Sequence, residues 1–309
     1  MNAPKVLRVG TRASRLAQHQ TDRIAERLAA AAPDVRTEIV LITTEGDRDR
    51  ATPLRALGGT GVFTDALVSA LRDGRIDVAV HSLKDLPIDG ADDVVVAAVC
   101  QRDDVRDVVV SRGGVGLAVL PAGARVGTCS TRRTAQLLAV RPDVRVGDIR
   151  GNVETRLRKV DDGEFDAILL AAAGLHRLGR AGAIAEYLPL SDFLPAPGQA
   201  ALAVQCRASD ASTRSIVALL DDEGAHRATD AERSFLGALG GGCAAPVAAF
   251  AEIRPAQDGA TLAMRGVVAS HDGRTMIRVH GDGDAAAPAA LGIHLAALAR
   301  ERGAEALLA

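Results

Sequence analysis

Aromatic side chains are scarce in this chain of 309 residues: they make up 2%, with no tryptophan and a single tyrosine, Tyr187. Proteins that bind single-stranded nucleic acid stack bases on such rings, so this chain offers few stacking platforms. A basic excess is also missing, because 37 lysines and arginines face 39 aspartates and glutamates and the net charge is -2. We therefore expect no nucleic-acid partner.

Cysteines are few and dispersed as well, at Cys100, Cys129, Cys206 and Cys243. Their number and spacing exclude a disulfide framework, and no CxxC or Cys/His pattern indicates a zinc site, so we expect no metal. No apolar run approaches the roughly 20 residues that a membrane span needs, and the first residues lead into a strand pattern without a signal-peptide core. We expect a reduced, soluble, cytoplasmic protein with no membrane partner.

Lysine is also scarce: the chain has three lysines, Lys5, Lys84 and Lys159, and 34 arginines. Codon bias in a GC-rich genome explains the overall ratio. It does not explain why arginines cluster at particular turns. Because the same bias would tend to replace a lysine, the presence of Lys84 indicates a specific role for that side chain.

What the chain does have is a regular alternation of short apolar runs with helical patterns through its first 200 residues. Strand patterns at residues 6–10 and 76–80, with a helix over about 14–31, begin this rhythm, which restarts after Arg102. Strand–helix–strand order implies right-handed crossovers and largely parallel sheets. From about Asp222 shorter elements follow. The sequence therefore predicts an α/β fold with two lobes and a smaller α+β domain.

A compact polar group, His81 to Asp85, follows the predicted strand at 76–80. Ligands of open α/β sheets bind beyond the carboxyl ends of strands, so this loop is a candidate site. The Asp85 carboxylate is suited to stabilising a developing cation or to moving a proton, and the adjacent Lys84 would tune its pKa. A solvated polar loop is the alternative interpretation.

Arginines recur at the turns that follow other predicted strands. Arg132 and Arg133 open a helix after a small hydroxyl-rich turn, Arg150 and Arg156 flank the next such turn, and Arg12 follows the first strand. Backbone N–H groups at helix starts and guanidinium forks both favour carboxylate or phosphate. This placement predicts an anion-binding cleft, although scattered surface arginines paired with acidic residues remain the alternative.

Cys243 follows three glycines, Gly240 to Gly242. Such neighbours provide little packing, so we expect an accessible thiol that suits a covalent role. Cys100 and Cys206 lie in apolar strand patterns and are interpreted as inert core residues.

Six stretches, in order along the chain, carry a resemblance to a known family. They are TRASRLAQHQ (11–20), HSLKDLP (81–87), VGTCSTRR (126–133), RGNVETRL (150–157), LPAPGQ (194–199) and GGCAAPV (241–247). With them the chain resembles the porphobilinogen deaminase (hydroxymethylbilane synthase) family over nearly its whole length. The resemblance implies a transferase of tetrapyrrole and haem biosynthesis that joins four porphobilinogen molecules head to tail. Ammonia leaves at each step, and hydrolysis then releases hydroxymethylbilane.

The resemblance also implies a fold and a cofactor. The fold is two periplasmic-binding-protein-like α/β lobes around a cleft plus a smaller C-terminal α+β domain. The expected division is 1–101 with 200–220, then 102–199, then 221–309. The cofactor is a dipyrromethane, assembled from substrate and attached through a thioether, and the matching attachment residue is Cys243. The resemblance also suggests a monomer.

Roles for individual residues follow from the same motifs. Asp85 matches the catalytic aspartate, which would stabilise the cationic azafulvene that forms when ammonia leaves. The residues implied to bind cofactor, besides Cys243, are Ser82, Lys84, Thr128, Ser130, Arg132, Arg133, Arg150 and Arg156. The residues implied to bind substrate are Arg12, Ser14, Gln20, Arg150, Arg156, Arg177 and Gln199. One departure is Ala200, which stands where glycine is common in the family.

A function from a different class fits the same residues. Two lobes with anion clamps would also serve a non-catalytic binding or regulatory module for a small dicarboxylate. That alternative requires no reactive thiol, so a covalent adduct on Cys243 discriminates between the two.

Overall fold

The computed structural model describes residues 5–43, 64–242, 244–256 and 259–308. Its strands are β1 (Lys5–Arg12), β2 (Val35–Ile42), β3 (Val78–Ser82), β4 (Val94–Val99), β5 (Asp107–Ser111), β6 (Arg125–Gly127), β7 (Arg145–Gly147), β8 (Ala167–Ala171), β9 (Glu186–Tyr187), β10 (Leu202–Arg207), β11 (Val247–Ala256), β12 (Gly259–Ala269) and β13 (Met276–Asp284). Its helices are α1 (Arg15–Ala31), α2 (Asp65–Arg72), α3 (Thr131–Val140), α4 (Val153–Asp161), α5 (Ala172–Arg177), α6 (Ala211–Val217), α7 (Glu223–Ala238), α8 (Pro288–Glu301) and α9 (Glu305–Leu308).

The chain forms two compact units. The first comprises Met1–Arg102 and Ala201–His226, and the second comprises Asp103–Ala200 and Arg227–Ala309. The first unit holds one five-stranded sheet, whereas the second holds a five-stranded sheet and a three-stranded sheet. The predicted division into three domains, 1–101 with 200–220, 102–199 and 221–309, stays a prediction.

The two larger sheets have the same arrangement, with strand orders β2-β1-β3-β10-β4 and β7-β6-β8-β5-β9. In each sheet the first three strands are parallel, as predicted. One strand in each sheet runs in the opposite direction, because β10 is antiparallel to β3 and β4, and β5 is antiparallel to β8 and β9. Each sheet is therefore mixed.

Apolar strands and helices build the core of each sheet. In the first unit Val9, Val78 and Val204 pack with Ile24 and Leu28 of α1, and all of these side chains are buried. Strands that are covered on both faces have nearly continuous apolar sequences. β3 and β10 are examples, since both are buried along most of their length. The third sheet, β11-β12-β13, is antiparallel throughout. The fold is thus α/β, with two α/β lobes and a smaller C-terminal part.

The cysteines of the first unit belong to this core. Cys100 and Cys206 are buried, and burial raises the pKa of the Cys100 thiol to about 11 and also raises that of Cys206. Both thiols therefore stay protonated, in agreement with the interpretation that they are inert.

One buried carboxylate supports the first unit electrostatically. Asp77 accepts hydrogen bonds from Arg8 (Nη2 to Oδ1, 2.8 Å; Nε to Oδ2, 3.0 Å) and from Arg207 (Nη2 to Oδ1, 2.9 Å). Burial by itself would raise the pKa of Asp77, but these arginines outweigh it and lower the pKa to about 2. The charged form is therefore favoured in the folded state.

We expect Asp77→Asn to lower the free energy of unfolding at pH 7 by about 2 kcal/mol. The folded pKa lies below the unfolded value, so the contribution of Asp77 is present above about pH 4 and is lost as the pH falls toward about 2. Urea unfolding of both proteins between pH 7 and pH 3 checks this. A difference between them that stays constant over that range would contradict it.

Candidate functional site

In the first unit the predicted site residues lie where β1 meets α1 and where β3 ends. The Ser14 hydroxyl accepts a hydrogen bond from the Ala17 N–H (3.3 Å) and so caps the start of α1, a task that its motif did not reveal. Arg12 lies half-buried at the end of β1. Gln20, buried in α1, donates from Nε2 to Ser82 Oγ (3.2 Å). The structure thus brings the predicted residues Gln20 and Ser82 together.

Asp85 ends a short 3-10 turn, Leu83–Asp85, directly after β3. Leu83 and Leu86 are buried on either side of the exposed Asp85 and anchor the turn in the core. The Leu83 N–H donates to Ala201 O (3.0 Å), which ties this turn to the segment leading into β10. The Asp85 carboxylate is therefore presented on a backbone that the core holds in place.

His81 is buried at the end of the same strand. Burial, together with the positive charge of Arg12, lowers the pKa of His81 to about 4. The imidazole is therefore neutral at physiological pH and adds no positive charge behind Asp85.

In the second unit a hydroxyl-rich turn begins α3. Thr128 Oγ1 accepts from the Ser130 N–H (3.2 Å), and Ser130 Oγ accepts from the Arg133 N–H (3.4 Å) at the helix start. Thr131 Oγ1 donates to Ala244 O (2.6 Å). This last bond attaches the start of α3 to the residue after Cys243, which itself lies outside the described residues.

The two arginines of α3 share one carboxylate. Arg132 and Arg133 are 5% and 7% exposed, and Asp107, at the start of β5, is fully buried between them. Arg132 Nη1 donates to Asp107 Oδ2 (2.6 Å), and Arg133 Nη2 donates to Oδ1 (2.8 Å). Asp107 lies outside the sequence motifs that predicted the site. A carboxylate opening an otherwise apolar strand is a signal that could have found it, because a buried charge requires a partner.

Arg156 lies in α4, which begins after Asn152 caps it by accepting from the Thr155 N–H (2.9 Å). Arg156 Nε donates to Gly151 O (2.8 Å), and its Nη2 lies 3.9 Å from Cys129 Sγ. Among the residues that the structure describes, Arg156 pairs with no carboxylate. Burial, followed by repulsion from Arg133 and Arg150, lowers its pKa. Half-buried and without a counter-ion, Arg156 is suited to an anionic ligand.

Two further predicted residues, Arg177 and Gln199, lie deeper in the second unit. Arg177 Nε donates to Asp103 Oδ2 (2.8 Å) and its Nη2 to Ala200 O (2.5 Å), and its side chain is 4% exposed. Gln199 is fully buried, and its Nε2 donates to Val105 O (2.8 Å) and Asp107 Oδ1 (2.9 Å). Gln199 thus contacts the carboxylate that Arg132 and Arg133 share, whereas Arg177 binds Asp103 and Ala200. The assignment of both residues to substrate binding stays a prediction.

Comparison with known proteins assigns the family. Residues 7–215 match the profile described as "Porphobilinogen deaminase, dipyromethane cofactor binding domain", and residues 227–301 match "Porphobilinogen deaminase, C-terminal domain". The chain belongs to the porphobilinogen deaminase family. A porphobilinogen deaminase from Roseiflexus sp. (strain RS-1) is 46% identical over 305 residues, 99% of each chain. That from Brevibacillus brevis is 43% identical over 302 residues, 98% of this chain and 96% of the relative.

Solved structures with a similar chain path include two of other classes. One is the effector binding domain of BenM, 15% identical, with a TM-score of 0.43 over 70% of this chain and 90% of that one. The other is the periplasmic sulfonate-binding protein SsuA from Methylobacillus flagellatus, 12% identical, with a TM-score of 0.41 over 75% and 68%.

Membership of the porphobilinogen deaminase family makes the chain a transferase with a dipyrromethane cofactor. The residues of the second unit fit that group, because a dipyrromethane built from porphobilinogen carries acetate and propionate side chains. Arg156 is half-buried and pairs with no carboxylate in the described part of the chain, and Arg132 and Arg133 share Asp107. These arginines supply the positive charge that such a ligand needs. None of the helices in the described ranges has both the length and the apolar character to cross a membrane.

Ala200 departs from the family pattern at a strained position. It is the non-glycine residue with a positive φ, 72°, in the described part of the chain, and its carbonyl accepts the bond from Arg177. An L-residue in this conformation is destabilised by about 1 to 2 kcal/mol. Glycine avoids this strain, but its higher entropy in the unfolded chain offsets part of the difference.

We expect Ala200→Gly to raise the free energy of unfolding by about 1 kcal/mol, as measured by urea unfolding. The matched control is Ala201→Gly, next in the chain, buried, and without a positive φ. That variant should lower the free energy of unfolding by about 1 kcal/mol. Destabilisation by both substitutions would contradict the assignment of strain to Ala200.

Proposed function

We propose that the chain condenses four porphobilinogen molecules in turn onto a dipyrromethane held covalently by Cys243. Ammonia is released at each condensation, and hydrolysis then frees hydroxymethylbilane. The observation that carries this proposal is the 2.6 Å hydrogen bond from Thr131 Oγ1 to Ala244 O. Through it, the residue adjacent to Cys243 lies against the helix start that carries Arg132 and Arg133. The family match supports this activity over the non-catalytic dicarboxylate-binding alternative.

The arginines bind and orient carboxylates in this proposal. A guanidinium binds a carboxylate through two parallel N–H donors, which fixes orientation as well as position. Arg132, Arg150 and Arg156 hold acetate and propionate groups of the cofactor, with hydrogen bonds from Thr128 and Ser130. Arg133 adds positive charge and holds the Asp107 carboxylate in place. When bound, the dipyrromethane supplies the pyrrole carbon to which the first substrate is joined.

The residues of the first unit have their own roles in the proposed chemistry. Arg12, Ser14 and Gln20 bind substrate together with Ser82 and Lys84, and the exposed carboxylate of Asp85 acts on the carbon that loses ammonia. Its negative charge stabilises the cation that remains on the substrate, and one of its oxygens accepts the proton that the coupled pyrrole releases. We further propose that the enzyme acts in the cytoplasm as a monomer.

The test is made on the chain purified from a host that makes tetrapyrroles. We expect intact-protein mass spectrometry to find an adduct on Cys243, an acidic aldehyde reagent to give a pyrrole colour, and added porphobilinogen to release ammonia. An unmodified chain that binds small dicarboxylates and releases no ammonia would overturn the proposal in favour of the binding module.

A further inference from the structure

Asp107 accepts more hydrogen bonds than a single ion pair would provide. Asp107 accepts four hydrogen bonds: one from Arg132 Nη1 (2.6 Å), two from Arg133 (Nη2, 2.8 Å; Nε, 3.1 Å) and one from Gln199 Nε2 (2.9 Å). The carboxylate is fully buried at the first residue of β5. Its position is therefore determined by a strand on one side and by three side chains on the other.

The two arginines use their nitrogens differently. Arg133 donates from all three, because Nη1 also binds Leu169 O (3.1 Å). Arg132 donates to side chains and carbonyls from Nη1 alone, to Asp107 and to Leu194 O (2.7 Å). Its Nε and Nη2 form no hydrogen bond within the described ranges. Arg132 thus keeps one edge of its guanidinium for a ligand, and Arg133 stiffens the arrangement.

The charge balance agrees with this division. Burial by itself would raise the pKa of Asp107, but Arg132 and Arg133 outweigh it and hold the pKa well below its usual range, so the carboxylate stays charged. One negative charge between two positive ones leaves the cluster with an excess positive charge. At a site this poorly hydrated, that charge favours an anionic ligand.

We propose that Asp107, supported by Gln199, is a positioning residue that fixes the Arg132 guanidinium for a carboxylate of the cofactor. This inference rests on the proposed function. It assigns Asp107 no contact with substrate or cofactor, because the carboxylate is fully buried and acts through Arg132. It also gives the buried Gln199 a role that does not require it to touch a ligand.

The test is Asp107→Asn, which keeps the shape of the side chain and removes its charge. We expect the chain obtained without cofactor to form the Cys243 adduct about tenfold more slowly than wild type when mixed with porphobilinogen, as followed by intact mass. We also expect Asp107→Glu, which restores the charge, to recover part of that rate.

The first unit offers a matched control. Asp77 is likewise a largely buried carboxylate between two arginines, Arg8 and Arg207, and it belongs to no predicted site. Asp77→Asn should lower stability to a similar degree while forming the adduct at the wild-type rate. Equal adduct rates in Asp107→Asn, Asp77→Asn and wild type would overturn the inference and leave Asp107 a purely structural residue.

Gln199→Met provides a second measurement should Asp107→Asn fail to fold. It removes the donor to Asp107 but leaves both ion pairs, so we expect adduct formation to slow about threefold. An unchanged rate would then count against the inference. Failure of the proposed function itself is distinguishable, because in that case wild type forms no adduct at all.

Discussion

Asp85→Asn is expected to retain the adduct on Cys243 and to lose turnover by about two to three orders of magnitude. Asparagine has the size and planarity of aspartate, but it has no negative charge to stabilise a cation and cannot accept a proton. The backbone should not move, because the buried Leu83 and Leu86 anchor the turn on both sides of residue 85. Intact mass and steady-state release of ammonia measure the two effects separately.

Asp89→Asn is the matched control for this prediction. Asp89 is an exposed aspartate in the same loop and matches no family motif residue, so its loss should leave turnover unchanged. Turnover of Asp85→Asn within about threefold of wild type would remove Asp85 from the mechanism.

The second large effect concerns the thiol. Cys243→Ser should carry no adduct and show no measurable turnover, because serine's hydroxyl is a much weaker nucleophile than a thiolate and cannot form a thioether. Without a covalent anchor, the growing chain has nothing to be built on. Intact mass, the pyrrole colour reaction and ammonia release should all fail together.

Cys129→Ser tests whether any exposed thiol suffices. Cys129 is only partly buried, and its sulfur lies 3.9 Å from Arg156 Nη2. Because its thiol is not the predicted anchor, this variant should retain the adduct. An adduct that remains in Cys243→Ser and disappears in Cys129→Ser would move the attachment site.

Periodicity and turn chemistry predicted much of the fold. The strand predicted at 6–10 lies within β1, and α1 begins within one residue of its predicted start. The mixed character of the sheets was not predictable from local patterns. In the sequence, β5 to β9 of the second unit come between β4 and β10. Nothing within residues 202–207 indicates that β10 pairs with β3 and β4 or that it runs antiparallel to them.

The site was predictable where its motifs are local. Residues 81–85 and 128–133 lie at strand ends in the structure, as the sequence indicated. Asp107 was missed because it follows several charged residues in the sequence, at 102–104 and 106, and charged residues are mostly exposed. Only the tertiary structure brings it between Arg132 and Arg133, 25 and 26 residues further along the chain. The strain at Ala200 is likewise a backbone property that no side-chain pattern reveals.

The most direct test of stepwise condensation on Cys243 is the intact mass of the holoenzyme after brief mixing with limiting porphobilinogen. Stepwise condensation predicts a series of species, each heavier by one porphobilinogen minus one ammonia, on the peptide that contains Cys243. Asp85→Asn should show only the first species of that series. A single unchanged mass, in a protein that nevertheless binds porphobilinogen, would contradict stepwise condensation on Cys243.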